Sequence, residues 1–200
     1  MQIIIPMSGF GERFRAAGYT IPKPLIEVEG RPIIQHVVEM FSNEDDFIFI
    51  CNEDHLLNPE YKMKSILQDV ALNSSIVSVK PHKLGPVYAV MQALDEINLQ
   101  KPTIVNYCDF TCYWNYGHFK NFAKRVKADG IIPSYRGFHP HTLWSNYYAY
   151  VKEHNYRASD IQEKQPFTNK PTNEFASSGT YYFKTGALMQ EYFQRCIDEE

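Results

Sequence analysis

The chain has 200 residues, 44% hydrophobic and 14% aromatic, which is enough for one well-buried α/β domain. A formal net charge of −3 and the lack of any basic run argue against a general nucleic-acid binder. No stretch approaches the length of a membrane span and the start carries no signal-peptide pattern, so a cytoplasmic protein is expected. Cys51, Cys108, Cys112 and Cys196 form no CxxC pair and have no histidine at zinc spacing, which predicts reduced, mostly buried thiols.

The first predicted element is a strand at Ile3, Ile4 and Ile5, a β-branched run closed by Pro6 that suits a parallel-sheet core. From Met7 to Pro22 the chain reads as one long loop holding Ser8, Gly9, Gly11 and Arg13. Loops of that length in compact domains are usually functional. Gly9 and Gly11 allow a sharp turn and bring backbone N–H groups close to phosphate oxygens. Arg13 adds a forked cation that can grip two oxygens of a polyphosphate. Pro22 and Pro24 predict an extended, stiff backbone at Lys23.

Helical spacing follows over Pro32 to Phe41, with Ile33, Ile34, Val37, Val38 and Phe41 on one face. Phe47 to Cys51 reads as a strand, Tyr61 to Leu72 as a helix and Ser75 to Val79 as a strand. Lys80-Pro81-His82-Lys83-Leu84-Gly85-Pro86 then runs into a helix over Val87 to Ile97, with Val87, Val90, Met91 and Leu94 inward. At that helix start, Gly85 would let a base or ribose approach the backbone, and the helix dipole favours phosphate. Thr103 to Tyr107 is a strand that delivers Asp109 to its end; one carboxylate plus substrate phosphates is a usual way to hold magnesium.

Tyr116 to Val126 reads as a helix and Gly130 to Pro133 as a short strand. From Ser145 the pattern changes: Tyr147, Ala149 and Val151 alternate, and Ser177 to Phe183 is an aromatic-rich strand, which predicts an antiparallel excursion over the site. A helix over Leu188 to Ile197 follows. The succession predicts an α/β fold, a Rossmann-like mostly parallel sheet with helices on both faces and ligands at the carboxyl ends of its strands. His82, His139 and His141 read as solvated loop residues. Tyr147, Tyr148, Tyr150, Tyr181, Tyr182 and Phe183 read mostly as core or sheet surface.

The loop with Gly9, Gly11 and Arg13, followed by Pro22-Lys23-Pro24-Leu25, and Asp109 within IVNYCDF resemble the sugar-phosphate nucleotidyltransferase family, in its bacterial capsule and surface-polysaccharide branch. The resemblance implies a single nucleotidyltransferase domain over residues 1–200. Its reaction would move a nucleotidyl group from a nucleoside triphosphate to a sugar 1-phosphate with release of pyrophosphate. It also implies Arg13 and Lys23 as catalytic residues, Mg2+ on Asp109, and a nucleotide site of Met7, Ser8, Gly9, Gly11, Arg13, Lys23, Pro81, Gly85 and Asp109. Glu163-Lys164 and the segment around Gly179 match the family's acceptor-facing motifs, and a homo-oligomer is compatible with the pattern.

Two departures stand out. Gly85-Pro86-Val87-Tyr88-Ala89 replaces the family's Gly-Thr-Ala turn with bulkier residues, and the family's second metal carboxylate would come from a segment after Glu200, so a fragment is expected. The altered turn keeps a second acceptor class open: a small non-sugar phosphate such as phosphocholine, glycerol phosphate or a phosphorylated amino acid, with CTP as the favoured nucleotide. A non-catalytic nucleotide-binding scaffold is the alternative of another kind.

Overall fold

The computed structural model describes residues 1–42, 45–138, 146 and 148–199. The chain begins with β1 (Gln2–Met7), a short α1 (Glu12–Ala16), a 3-10 turn at Lys23–Leu25, and the hairpin of β2 (Glu27–Val28) and β3 (Arg31–Pro32). Next come α2 (Ile33–Val38), β4 (Asp46–Asn52), α3 (Glu53–Leu57), α4 (Met63–Val70), β5 (Ser74–Val79), α5 (Gly85–Met91), β6 (Thr103–Asn106) and α6 (Tyr116–Val126). The rest forms β7 (Gly130–Ile131), β8 (Ser134–Tyr135), β9 (Ala149–His154), β10 (Arg157–Glu163), β11 (Phe175–Ser177), β12 (Thr180–Phe183) and α7 (Gly186–Glu199). These elements make two units, Met1–Ile131 with Tyr181–Glu200, and Ile132–Thr180.

In the first unit the strands lie in the order β5-β4-β1-β6-β12-β7. β1 runs parallel to β4, with Ile3 opposite Phe47, and parallel to β6, with Ile4 opposite Val105. β4 runs parallel to β5. Because successive side chains of a strand point to opposite faces, β1 feeds two cores. Ile3, Ile5 and Met7 join Phe47, Phe49 and Ile104 under α2, α4 and α6. Ile4 joins Ile48, Ile50 and Val105 under α5 and α7, where Ala89, Val90 and Met189 are fully buried. Helices on both faces explain why β1 is buried at every position.

Several expected elements differ in detail. The stretch from Met7 to Pro22 is not all loop, since α1 forms one turn after Gly11, with none of its residues buried. The expected helix over Val87 to Ile97 starts earlier and ends at Met91, and a 3-10 turn at Leu94–Glu96 follows. Its fully buried residues are Ala89, Val90 and Ala93, while Val87, Met91 and Leu94 are only half-buried. Small side chains let this segment pack close to the sheet, a cue that spacing of large apolar residues misses. The expected strand over Ser177 to Phe183 breaks at Ser178-Gly179, where Gly179 takes φ 73°, and its halves belong to different sheets.

The second unit is a four-stranded antiparallel sheet in the order β10-β9-β11-β8, with Tyr150 fully buried in it. Tyr147, Ser145, His139 and His141 fall outside the described residues. Cys51 and Cys108 are buried, and burial pushes both thiols up to about 12. Cys112 and Cys196 are exposed, so burial holds for only half of the thiols. Among the described residues no helix is long and apolar enough to cross a membrane.

Candidate functional site

Parallel pairing sends the segments after β1, β4, β5 and β6 out of the same edge of the sheet. The segment after β1 is anchored first. Met7 has its side chain buried in the core, and Ser8 is buried behind it. Asn52, at the end of β4 and fully buried, donates from Nδ2 to the Ser8 carbonyl at 3.2 Å. Its Oδ1 accepts from the Asp54 N–H at 2.9 Å and so caps α3. This double contact fixes where the loop leaves the sheet. The sequence reading missed it, although Asn-Glu-Asp after a strand is a recognisable helix start.

Gly9 and Gly11 then behave differently. At Gly11 the backbone is left-handed, φ 63°, and its carbonyl accepts from Phe14 and Arg15 N–H groups at 2.9 and 3.0 Å. A Cβ at position 11 would lie 3.8 Å from the Lys23 Cβ, so the glycine loop touches the lysine segment. At Gly9 the backbone is not left-handed, and among the described residues, its chain neighbours aside, no atom lies within 4 Å of an added Cβ. Arg13 projects from exposed α1.

Lys23 does not sit on extended backbone. It opens a 3-10 turn in which Leu25 N–H bonds the Pro22 carbonyl at 2.9 Å and Ile26 N–H bonds the Lys23 carbonyl at 3.2 Å. The bias of a residue before proline is overridden because this turn buries Pro24 and Leu25. The ammonium lies 5.2 Å above the Phe14 ring and pairs with the Asp109 carboxylate. Both side chains keep contact with solvent, 24% exposed for Lys23 and 36% for Asp109. The two residues are 86 positions apart in the chain, and the sheet order brings them together.

The segment after β5 joins the same edge. Lys83 Nζ bonds Glu12 Oε1 at 2.7 Å and lies 5.9 Å over the Phe10 ring. Its hydrogen bond and charge hold the Glu12 carboxyl below its usual range. Gly85 opens α5 with φ 82°, and Pro86 follows in the first turn. His82 is half-buried rather than solvated: its Nδ1 accepts from the Leu84 N–H at 3.2 Å, and its ring meets Tyr88 edge-on at 4.9 Å. Pro81 beside it is half-buried.

Thus Ser8, Gly9, Gly11, Arg13, Lys23, Asp109 and the turn at Gly85 share one edge of the first unit. Glu163, Lys164 and Gly179 lie in the second unit. Glu163 ends β10 and pairs with Lys164 at 3.5 Å; Lys164 has φ 58° and donates its N–H to the Tyr148 carbonyl at 2.9 Å. Gly179 donates its N–H to Ser177 Oγ at 3.1 Å. Among the described residues no three His, Cys, Asp or Glu side chains gather to hold a metal ion by themselves.

Over 138 residues the chain is 27% identical to mannose-1-phosphate guanyltransferase of Saccharomyces cerevisiae, a match covering 66% of this chain and 37% of that protein. It is 30% identical over 109 residues to the bifunctional protein GlmU of Ralstonia pickettii, covering 54% of this chain and 22% of that protein. The chain thus matches well under half the length of these curated relatives. Its fold resembles the nucleoside-diphosphate-sugar pyrophosphorylase of Vibrio cholerae, with TM-score 0.71, 20% identity, 98% of this chain and 77% of that one covered. It also resembles a putative glucose-1-phosphate thymidylyltransferase of Bacillus anthracis, with TM-score 0.73, 15% identity, and 100% and 76% covered. The family described as Nucleotidyl transferase matches residues 2–196, nearly the whole length, and the chain belongs to that family.

Proposed function

We propose that this chain moves a nucleotidyl group from a nucleoside triphosphate to a sugar 1-phosphate and releases pyrophosphate, acting in the cytoplasm in the synthesis of a surface polysaccharide. The observation that carries the reading is the cluster of Gly11, Lys23 and Asp109 at one edge of a parallel sheet, with Arg13 on α1, which follows Gly11 in the chain. The names of the relatives, a mannose-1-phosphate guanyltransferase among them, support the sugar 1-phosphate as acceptor. Residues 1–200 are read as one nucleotidyltransferase domain.

The chemistry asks little beyond charge and position. An acceptor phosphate is already anionic near neutral pH and attacks the α-phosphorus in line without a general base. The enzyme has to bring two polyanions together and stabilise the charge that develops between them. Backbone N–H groups of Ser8, Gly9 and Gly11 and the Arg13 guanidinium hold the β- and γ-phosphates. Lys23 leaves Asp109 and bridges the triphosphate and the incoming phosphate. The Met7 backbone and the turn from Pro81 to Gly85 hold the nucleoside.

Asp109, a single half-exposed carboxylate at a strand end, fits Mg2+ shared with phosphates rather than an ion caged by protein alone. Such an ion would be held by Asp109 and supplies neutralisation of phosphate charge when bound. Glu163, Lys164 and Gly179 of the second unit are read as acceptor-binding residues, the lysine for a phosphate and the glutamate for a hydroxyl.

The names of the relatives and structural neighbours point to more than one nucleotide, so the choice of base needs its own place in this chain. We place that choice in the turn Gly85-Pro86-Val87-Tyr88, with CTP as its nucleotide. Pyrophosphate release is to be measured with CTP, UTP, GTP and ATP against sugar 1-phosphates, phosphocholine, glycerol phosphate and a phosphorylated amino acid. Release with a sugar 1-phosphate and at least one of the four nucleotides is expected. Release only with a non-sugar phosphate would replace the acceptor, and no release with any pair would leave a nucleotide-binding scaffold.

A further inference from the structure

The pair of Glu12 and Lys83 has no part in the reading above, yet it spans the two segments between which that reading seats the nucleotide. Lys83 belongs to the turn after β5, but its ammonium reaches over Phe10 into the loop after β1 and ends 2.7 Å from Glu12 Oε1. Glu12 immediately precedes Arg13 and follows Gly11, whose Cβ position touches Lys23. The Lys83 ammonium therefore already rests on the segment assigned to the triphosphate. Neither side chain is locked there: they are 74% and 68% exposed, and an exposed ion pair is easily exchanged. A lysine suits exchange, being a compact point charge with three donors on a flexible stem.

We propose that Lys83 is a phosphate-binding residue that Glu12 holds in reserve. This inference rests on the loop after β1 being the triphosphate site. On nucleotide entry the ammonium leaves the Glu12 carboxylate for the β- and γ-phosphates. When the acceptor oxygen bonds the α-phosphorus and the bond to the β-bridging oxygen breaks, that electron pair stays on the departing pyrophosphate. Lys83 then neutralises part of the added charge.

The edge contains a second pair of the same kind, Lys23 with Asp109, and the contrast sets the sign of the effects. Asp109 would gain a new counter-charge from a divalent ion that it holds together with the triphosphate. Glu12 receives none. It competes with phosphate for Lys83 and repels what Lys83 attracts. Removing Lys83's charge weakens polyphosphate binding, and removing Glu12's charge strengthens it.

A plain clasp between two loops behaves otherwise, because loss of either partner breaks it equally. The test is titration calorimetry of inorganic pyrophosphate with excess Mg2+ into the wild-type chain, Lys83→Gln, Glu12→Gln and Arg13→Gln. For Lys83→Gln the Kd is expected to rise about tenfold, and for Glu12→Gln to fall about threefold. An unchanged Kd in Lys83→Gln, or a shift of both variants in the same direction, overturns the inference while Arg13→Gln still weakens binding. If the wild-type chain itself binds no pyrophosphate, the triphosphate reading fails and this inference with it.

Discussion

At the N-terminal edge of the parallel sheet, Gln2, Asp46, Asn98 and Lys101 line a groove of about 460 Å³, and their polar groups serve one another. Gln2 is buried and donates to the Asn98 carbonyl and Thr103 Oγ1, each at 2.7 Å, while accepting from the Asn98 N–H at 3.1 Å. Lys101 pairs with Asp46. At the C-terminal edge the charges also pair, but on loops built around Gly9, Gly11 and Gly85. The glycines separate the two edges. A Cβ on Gly186, at the N-terminal edge, would lie 2.7 Å from the Asn98 carbonyl and 3.0 Å from Leu99 Cα, so the chain's own packing demands glycine there. Nothing in the described chain crowds Gly9. The open space beside Gly9, between an anchored serine and a left-handed turn, is what the proposed phosphate site requires.

Variants at the two edges should therefore fail in different ways. Lys23→Ala is expected to lower turnover by about 10²- to 10³-fold with a much smaller change in nucleotide affinity, since its charge matters most in the transition state. Steady-state and binding measurements on one preparation check this, and wild-type turnover would remove Lys23 from the reaction. Gly186→Ala should cost roughly 2 kcal/mol or more in denaturant unfolding, because backbone must shift to admit the methyl group. The folded fraction should keep its phosphate affinity.

Gly9→Ala is the complement. Its unfolding free energy should stay within about 0.5 kcal/mol of wild type while affinity for the triphosphate drops about tenfold. An equal drop in stability would mean that the fold, not a ligand, claims that position. The smallest effect concerns His55, buried in α3 beneath the C-terminal edge. Burial, with the charge of Arg15, lowers its folded pKa below the ordinary 6.5. The unfolded chain thus takes up the proton first, so stability is complete above 6.5 and declines as pH falls below it. His55→Gln should flatten that acid-side slope in unfolding curves taken from pH 7 to 5 without altering phosphate affinity.

Where burial and local pattern agree, the fold was legible: Ile3 to Ile5 named the central strand, and Tyr116 to Val126 named α6 to the residue. The breaks were not. Gly179 divides one apolar run between two sheets, and Ala89 and Ala93 carry a buried face that large residues do not mark. In the candidate site, the glycine loop, Pro22-Lys23-Pro24 and a strand-end aspartate singled out Gly11, Lys23 and Asp109, which the fold brings to one edge. The partnerships were not, since Lys23 meets Asp109 and Glu12 meets Lys83 only through the order of strands. His82 looked like a solvated loop residue because no sequence cue announces a ring that caps its own turn.

The most direct test sets the two edges against each other in one assay, equilibrium binding of inorganic tripolyphosphate with excess Mg2+. The double variant Arg13→Gln, Lys23→Ala alters the C-terminal edge, and Asp46→Asn, Lys101→Gln alters the N-terminal edge. The first is expected to weaken binding by about 30-fold or more and the second to stay within about twofold of wild type. Equal loss in both, or loss only in the second, would contradict a phosphate site at the C-terminal edge.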